Sequence, residues 1–160
     1  LTTPSPHDSS LPVATCLWFR DQAEDAARFY TGLIPGSQLL HVHRPAPDAP
    51  AMMVVFTLGG VRYQALNGAQ LDFNDTLSLA VTTPDQAETD RLWAALTDGG
   101  EALQCGWCRD RFGVAWQVVP AALPRLLGGP DPQGAGRAMQ AMLKMQKIDI
   151  ADLERAYAGG

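Results

Sequence analysis

The chain has 160 residues, 46% hydrophobic and 18% charged, with twelve Lys or Arg against seventeen Asp or Glu for a net charge of −5. That length can bury a sizeable core, as one domain or as two small modules. The acidic balance argues against nucleic acid as a partner, and no apolar run approaches the roughly 20 residues that cross a bilayer, so no membrane partner is expected.

Three cysteines, Cys16, Cys105 and Cys108, are too few and odd in number for a secreted disulfide framework and point to a reducing cytoplasm. Residues 1–11, within the Pro-, Ser- and Thr-rich stretch Leu1–Pro12, read as a flexible tail with neither the basic nor the apolar region of a signal peptide.

Val13–Phe19 is an apolar, strand-forming run that ends at Arg20-Asp21. Asp21 is the expected helix cap, with Glu24 reaching back from three residues on. Ala23, Ala26, Ala27, Tyr30, Leu33 and Ile34 then mark one apolar helix face, closed by Pro35-Gly36. Ser37–Arg44 alternates as a strand, Pro45–Pro50 is a proline-broken loop, and Met52–Leu58 is again strand. Gly59-Gly60 makes the turn into a hairpin partner, Val61–Leu66.

Leu77–Thr83 begins the pattern again. Asp85-Gln86-Ala87-Glu88 repeats the tetrapeptide at Asp21–Glu24 and opens a helix through Leu92, Trp93 and Leu96 that stops at Gly99-Gly100. Ala102–Cys105, Trp107–Phe112 and Val114–Val119 follow as strands. Gly113-Val114-Ala115-Trp116-Gln117 also echoes Gly60-Val61-Arg62-Tyr63-Gln64. Identities in register at both ends of the unit indicate internal duplication. A unit that cannot bury its own sheet implies two copies packed together, eight strands in all with a helix behind each half. Beyond Pro120 the chain is helical, with a Met-rich helix through Met139, Met142 and Leu143 and a capped helix from Asp149 to Tyr157.

The expected fold is α+β. A first βαβββ module at 12–68, a connector at 69–76 and a second module at 77–120 form a cupped mixed sheet, and a helical extension occupies 121–160.

Phe29-Tyr30 in the first helix of a duplicated βαβββ unit resembles the vicinal oxygen chelate superfamily of glyoxalases, bleomycin-resistance proteins and extradiol dioxygenases. Cys16-Leu17-Trp18-Phe19 with Gln22-Ala23-Glu24, Tyr63 to Gly68, Phe73-Asn74, Cys105-Gly106-Trp107, Asp110, Phe112-Gly113-Val114, Trp116-Gln117 and Met145 to Ile150 resemble its PhnB-like branch, often described as 3-demethylubiquinone methyltransferase-like. The resemblance covers about residues 12 to 157. It implies a metal or ligand cup in each module, usually lined by a His near the start of the first strand and a Glu on the last.

Neither first strand here holds His, Asp or Glu, and the last strands carry Gln64 and Gln117 in place of glutamate. Neutral amides are poor ligands for divalent transition metals, so no catalytic metal or other cofactor is expected. Gln64 and Gln117 either orient a polar group of a ligand or hydrogen-bond to each other or to backbone. Trp18 and Phe73 are the aromatic candidates for a pocket.

His41 and His43 share a side of one strand and supply the alternative of a divalent metal site. Cys105-Gly-Trp-Cys108 has redox spacing but lies between strands, outside a thioredoxin-like context. Asp110 before Phe112-Gly113 reads as turn chemistry. Methyl transfer is discounted because no Gly-rich cofactor turn follows Val13–Phe19. The expectation is a homodimer that binds an unknown small molecule without metal. A metal-dependent glyoxalase- or dioxygenase-like enzyme and a thiol redox protein are the alternatives.

Overall fold

The apolar run that starts at Val13 becomes β1 (Thr15–Phe19). The computed structural model describes residues 13–160, and the tail expected at 1–11 lies outside the described residues. Two compact units divide between Asp72 and Phe73.

In the first unit, β1 is followed by α1 (Ala23–Leu33), β2 (Gln38–His43), β3 (Met53–Leu58) and β4 (Val61–Asn67). The sheet order is β1-β4-β3-β2, with β1 parallel to β4 and the remaining pairs antiparallel. Gly59 and Gly60 take φ of 54° and 85°, the left-handed pair that a two-residue hairpin needs. Side chains alternate across a strand, so the register fixes which residues share a face. Leu17, Val54, Phe56 and Ala65 lie on the side covered by α1 and are buried with Ala23, Ala26, Ala27 and Tyr30. The alanines allow close approach, and Tyr30 fills the remaining space.

One expectation fails at the start of α1. Asp21 does not cap the helix: Gln22 occupies the cap position and makes no side-chain cap bond. The side chain of Asn67, at the end of β4, replaces it. Its Oδ1 accepts from Ala23 N at 2.8 Å while its Nδ2 donates to Ala51 O at 2.8 Å. Glu24 does not reach back either. It receives Arg28 from the next turn and Arg44 from beyond β2, at 2.8 and 2.5 Å, and these guanidinium hydrogen bonds hold its carboxyl below the usual range.

The second unit repeats the plan as β5 (Ser78–Thr83), α2 (Gln86–Thr97), β6 (Glu101–Ala102), β7 (Trp107–Arg109) and β8 (Ala115–Pro120). Its order is β5-β8-β7-β6, again with the first strand parallel to the last. Here the expected cap is made: Asp85 accepts from Glu88 N at 2.9 Å. Thr83 and Thr89 share a buried hydroxyl bond of 2.6 Å between β5 and α2.

The strand expected at Ala102–Cys105 ends at Ala102. Cys105 and Gly106 have φ of 59° and 81° and form a tight turn, closed by Leu103 N to Trp107 O at 2.9 Å and Trp107 N to Gln104 O at 3.1 Å. The strand expected at Trp107–Phe112 likewise stops at Arg109, because Asp110 gathers the following loop.

The extension forms α3 (Leu123–Leu127), α4 (Pro132–Met142) and α5 (Ile150–Ala158) around Leu126, Ala138, Ile148 and Leu153. Met142 and Met145 pack on this cluster, whereas Met139 and Leu143 face outward. Backbone N–H groups of Cys105 and Gly106 donate to Met145 O and Gln146 O at 2.8 and 2.7 Å. Gln86, at the head of α2, receives Ile150 N on its Oε1 at 2.9 Å and donates to Ile148 O at 3.1 Å. The extension is thus held by the hairpin turn and helix of the second module. No helix among the described residues is long and apolar enough to cross a membrane.

Candidate functional site

The face of the first sheet turned away from α1 is ordered by register into three rungs. Gln38, Thr57 and Arg62 form the first. His41, Val55, Gln64 and Cys16 form the second, and His43, Met53, Leu66 and Trp18 the third. A bulge between Leu39 and His41 keeps both histidines on this face.

Trp18 is 55% exposed, an unusual state for the largest apolar side chain. Its indole Nε1 donates to Asn67 O at 3.2 Å, which fixes the ring by its polar edge. Gln64 is half-buried between Cys16 and Val55. The rings of His41 and His43 stack 6.5 Å apart. Arg62 is half-buried, with its Nε shielded from solvent.

In the second sheet the corresponding face carries Ser78, Ala80, Trp107, Arg109 and Gln117. Gln117 Nε2 donates to Ser78 Oγ at 2.9 Å, so its amide bonds to a neighbouring strand of its own sheet. Arg109 bridges Asp75 and Glu101 at 2.5 and 2.6 Å, which ties the connector to the sheet and holds the Asp75 carboxyl below its ordinary range. Phe73 is half-buried on the connector and is the first residue of the second unit. The structure therefore brings Trp18, Gln64, His41 and His43 onto one sheet face. Gln117 and Phe73 belong to the other unit.

The three cysteines are free thiols. Cys105 sits in the β6–β7 turn with its Sγ 3.7 Å from Met142 O. Cys108 is on the α2 side of the second sheet, where burial, with Asp110 nearby, pushes its thiol up to about 12. A thiol so poor in thiolate is a weak nucleophile at neutral pH.

Among the described residues no three His, Cys, Asp or Glu side chains come together, and the last strands offer only the amides of Gln64 and Gln117.

Gln38, Thr57, Arg62 and Cys16 are polar members of the face that sequence reasoning did not name as site residues. The signal was present, since Arg62 stands two residues before Gln64 on an alternating strand.

Residues 12–119 match the family model described as 3-demethylubiquinone-9 3-methyltransferase, and the chain belongs to that family. Among solved structures, the PhnB protein from Bacillus cereus is 26% identical, with a TM-score of 0.65 over 69% of this chain and 100% of its own. Protein PA1353 from Pseudomonas aeruginosa is 22% identical over 69% of this chain and 98% of its own, with a TM-score of 0.57. The fosfomycin resistance protein FosX from Mesorhizobium loti shares the fold at 15% identity and a TM-score of 0.51, over 67% of this chain and 88% of its own. No curated protein matches the chain. The chain is PhnB-like, as its motifs suggest, and shares its fold with FosX.

Proposed function

We infer that the protein binds a small organic molecule at the exposed Trp18 end of the first sheet's face turned away from α1, without a catalytic metal. The observation that carries this reading is the exposed indole of Trp18, fixed by Asn67 and sharing one face with Gln64. A planar apolar surface beside a half-buried amide is the combination that small-molecule sites use for affinity and orientation. The homodimer expected from the sequence belongs to the proposal as the assembly in which a second chain closes the open side.

Methyl transfer, which the family description names, draws no support from β1, since Phe19 runs into Arg20-Asp21-Gln22 without a glycine turn. The metal-dependent alternative rests on His41 and His43, the two imidazoles of the same face.

A thermal-shift screen of organic acids, amines and aromatics on untagged protein tests the reading, because a ligand raises the midpoint by mass action. Hits should disappear in Trp18→Ala and weaken in Gln64→Ala. Stoichiometric zinc, iron, nickel or manganese in the purified protein would move the assignment to the metal-dependent alternative. Equilibrium sedimentation reports the dimer.

A further inference from the structure

Asn67, at the end of β4, is hydrogen-bonded through both its side chain and its backbone. Its Oδ1 accepts from Ala23 N and its Nδ2 donates to Ala51 O, each at 2.8 Å. Its backbone N donates to Met52 O at 3.3 Å, and its backbone O accepts from Trp18 Nε1 at 3.2 Å. The next residue, Gly68, has φ of 109° and donates its N–H to Arg20 O at 2.8 Å. The chain has two asparagines, Asn67 and Asn74, and of these only Asn67 precedes a glycine. Glycine leaves its own nitrogen unshielded by a side chain, the condition under which that nitrogen can attack the preceding asparagine amide.

We propose that Asn67-Gly68 is a covalent modification site, an asparagine that deamidates when the corner between β4 and α1 opens and is protected while the corner is closed. The Gly68 nitrogen forms a bond to Asn67 Cγ as the Cγ–Nδ2 bond breaks. The Gly68 N–H proton leaves with Nδ2 as ammonia, and a succinimide ring remains. Water then adds to either ring carbonyl and breaks its bond to nitrogen, which leaves aspartate or isoaspartate at position 67. The net change is water in and ammonia out, with no oxidant or reductant. In the closed corner the Gly68 N–H is pinned to Arg20 O and both ends of the Asn67 amide are held, so Cγ cannot turn toward the nitrogen. Local opening releases these contacts together.

The product cannot restore the corner. Aspartate keeps an acceptor for Ala23 N but sets a carboxylate oxygen where Nδ2 met Ala51 O, acceptor against acceptor. Isoaspartate also reroutes the main chain through the former side chain, so the carbonyl that held the Trp18 indole is displaced. Deamidation therefore alters the presentation of the Trp18 ring, and the reaction itself does not rest on the small-molecule reading above.

The test incubates the full chain in mildly alkaline, ammonia-free buffer, both folded and in urea, with peptide mapping that separates asparagine, aspartate and isoaspartate. The unfolded chain should convert at Asn67 ahead of Asn74. The folded protein should convert at least about a hundred-fold more slowly, the factor expected when the bonds of the Asn67 amide and Gly68 N–H must open first. Hydrogen exchange at the Gly68 N–H should show comparable protection. Converted protein should show a shifted indole N–H resonance of Trp18, identified by its loss in Trp18→Phe.

Equal rates in the folded and unfolded chain would overturn the protection by the fold. No conversion at Asn67 in urea, or faster conversion at Asn74, would overturn the site itself. An unmoved Trp18 resonance in the converted protein would overturn the link to the ring. Each of these outcomes is read without a ligand, so a failed ligand screen and a failed deamidation assay remain distinct.

Discussion

Asp110 accepts the indole N–H of Trp116 on its Oδ2 at 2.8 Å, while its Oδ1 accepts Phe112 N at 2.9 Å and Val114 N at 3.0 Å. The carboxylate is 3% exposed, so it exchanges water for these three donors and fixes the β7–β8 connection and the largest side chain beneath the second sheet together. The Asp110, Phe112-Gly113-Val114 and Trp116 motif therefore builds structure, and the turn chemistry expected of Asp110 is present in a buried form.

Asp110→Ala should destabilise the protein by about 3 kcal/mol, since buried donors then lose a charged acceptor. Trp116→Phe removes one donor and should cost less, about 1 to 2 kcal/mol with the indole volume included. In urea denaturation the double variant should lose less than the sum of the two. Additive losses would show that the two side chains do not act as a pair.

Much of the fold was legible in local sequence because periodicity and repetition are local signals. The Ala23 to Ile34 stripe is the buried face of α1, and the repeated Asp-Gln-Ala-Glu does start a helix twice. What that repeat hid is long-range. Asp85 caps α2, but in the first copy Asn67, more than forty residues away, takes the task. Likewise Cys105 and Gly106 have strand-like neighbours, yet the backbone of the extension draws both into a turn. On the site, alternation placed His41 and His43 on a common side, but register was needed to add Gln64 to them, Arg62 was passed over and Phe73 fell in the other unit. Pairing register, which single strands do not reveal, decides such company.

The exchanged cap gives a direct comparison. Asn67→Ala should lower stability by about 1 kcal/mol, the usual worth of a side-chain cap, and somewhat more because Ala51 O also loses its donor. Asp21→Ala should be nearly silent in the same chemical denaturation series. A larger loss from Asp21→Ala than from Asn67→Ala would contradict the capping arrangement.

Two glycines with similar backbone angles should respond differently to alanine. Gly106 has φ of 81°, and an added Cβ would stand 2.8 Å from Val118 O and 3.1 Å from Ile148 Cγ1. Gly113 has φ of 86° with nothing within 4 Å of that position. Gly113→Ala should cost about 1 kcal/mol for the left-handed backbone alone. Gly106→Ala should cost about 2 kcal/mol or more, since Ile148 must also move. Limited proteolysis should then cut the extension between Met142 and Ile150 faster in Gly106→Ala than in Gly113→Ala, because this is the segment the turn holds.

Cys108 supplies a pH dependence whose sign is fixed by its burial. Removal from water, with the charge of Asp110 adding to it, raises its thiol from 9.0 to about 12, so the folded state keeps the proton longer than the unfolded chain. The unfolded state then binds fewer protons above pH 9, and stability falls as pH rises. The neutral thiol's contribution is fully present below about pH 9 and declines as pH rises toward 12. Native Cys108→Ala should lose less stability between pH 9 and 10.5 than the parent protein when both are unfolded by urea under reducing conditions. At pH 8, an aromatic disulfide reagent should modify exposed Cys16 quickly and Cys108 only after denaturant is added. Equal rates at these two cysteines in the folded protein would show that Cys108 is neither buried nor held as a thiol.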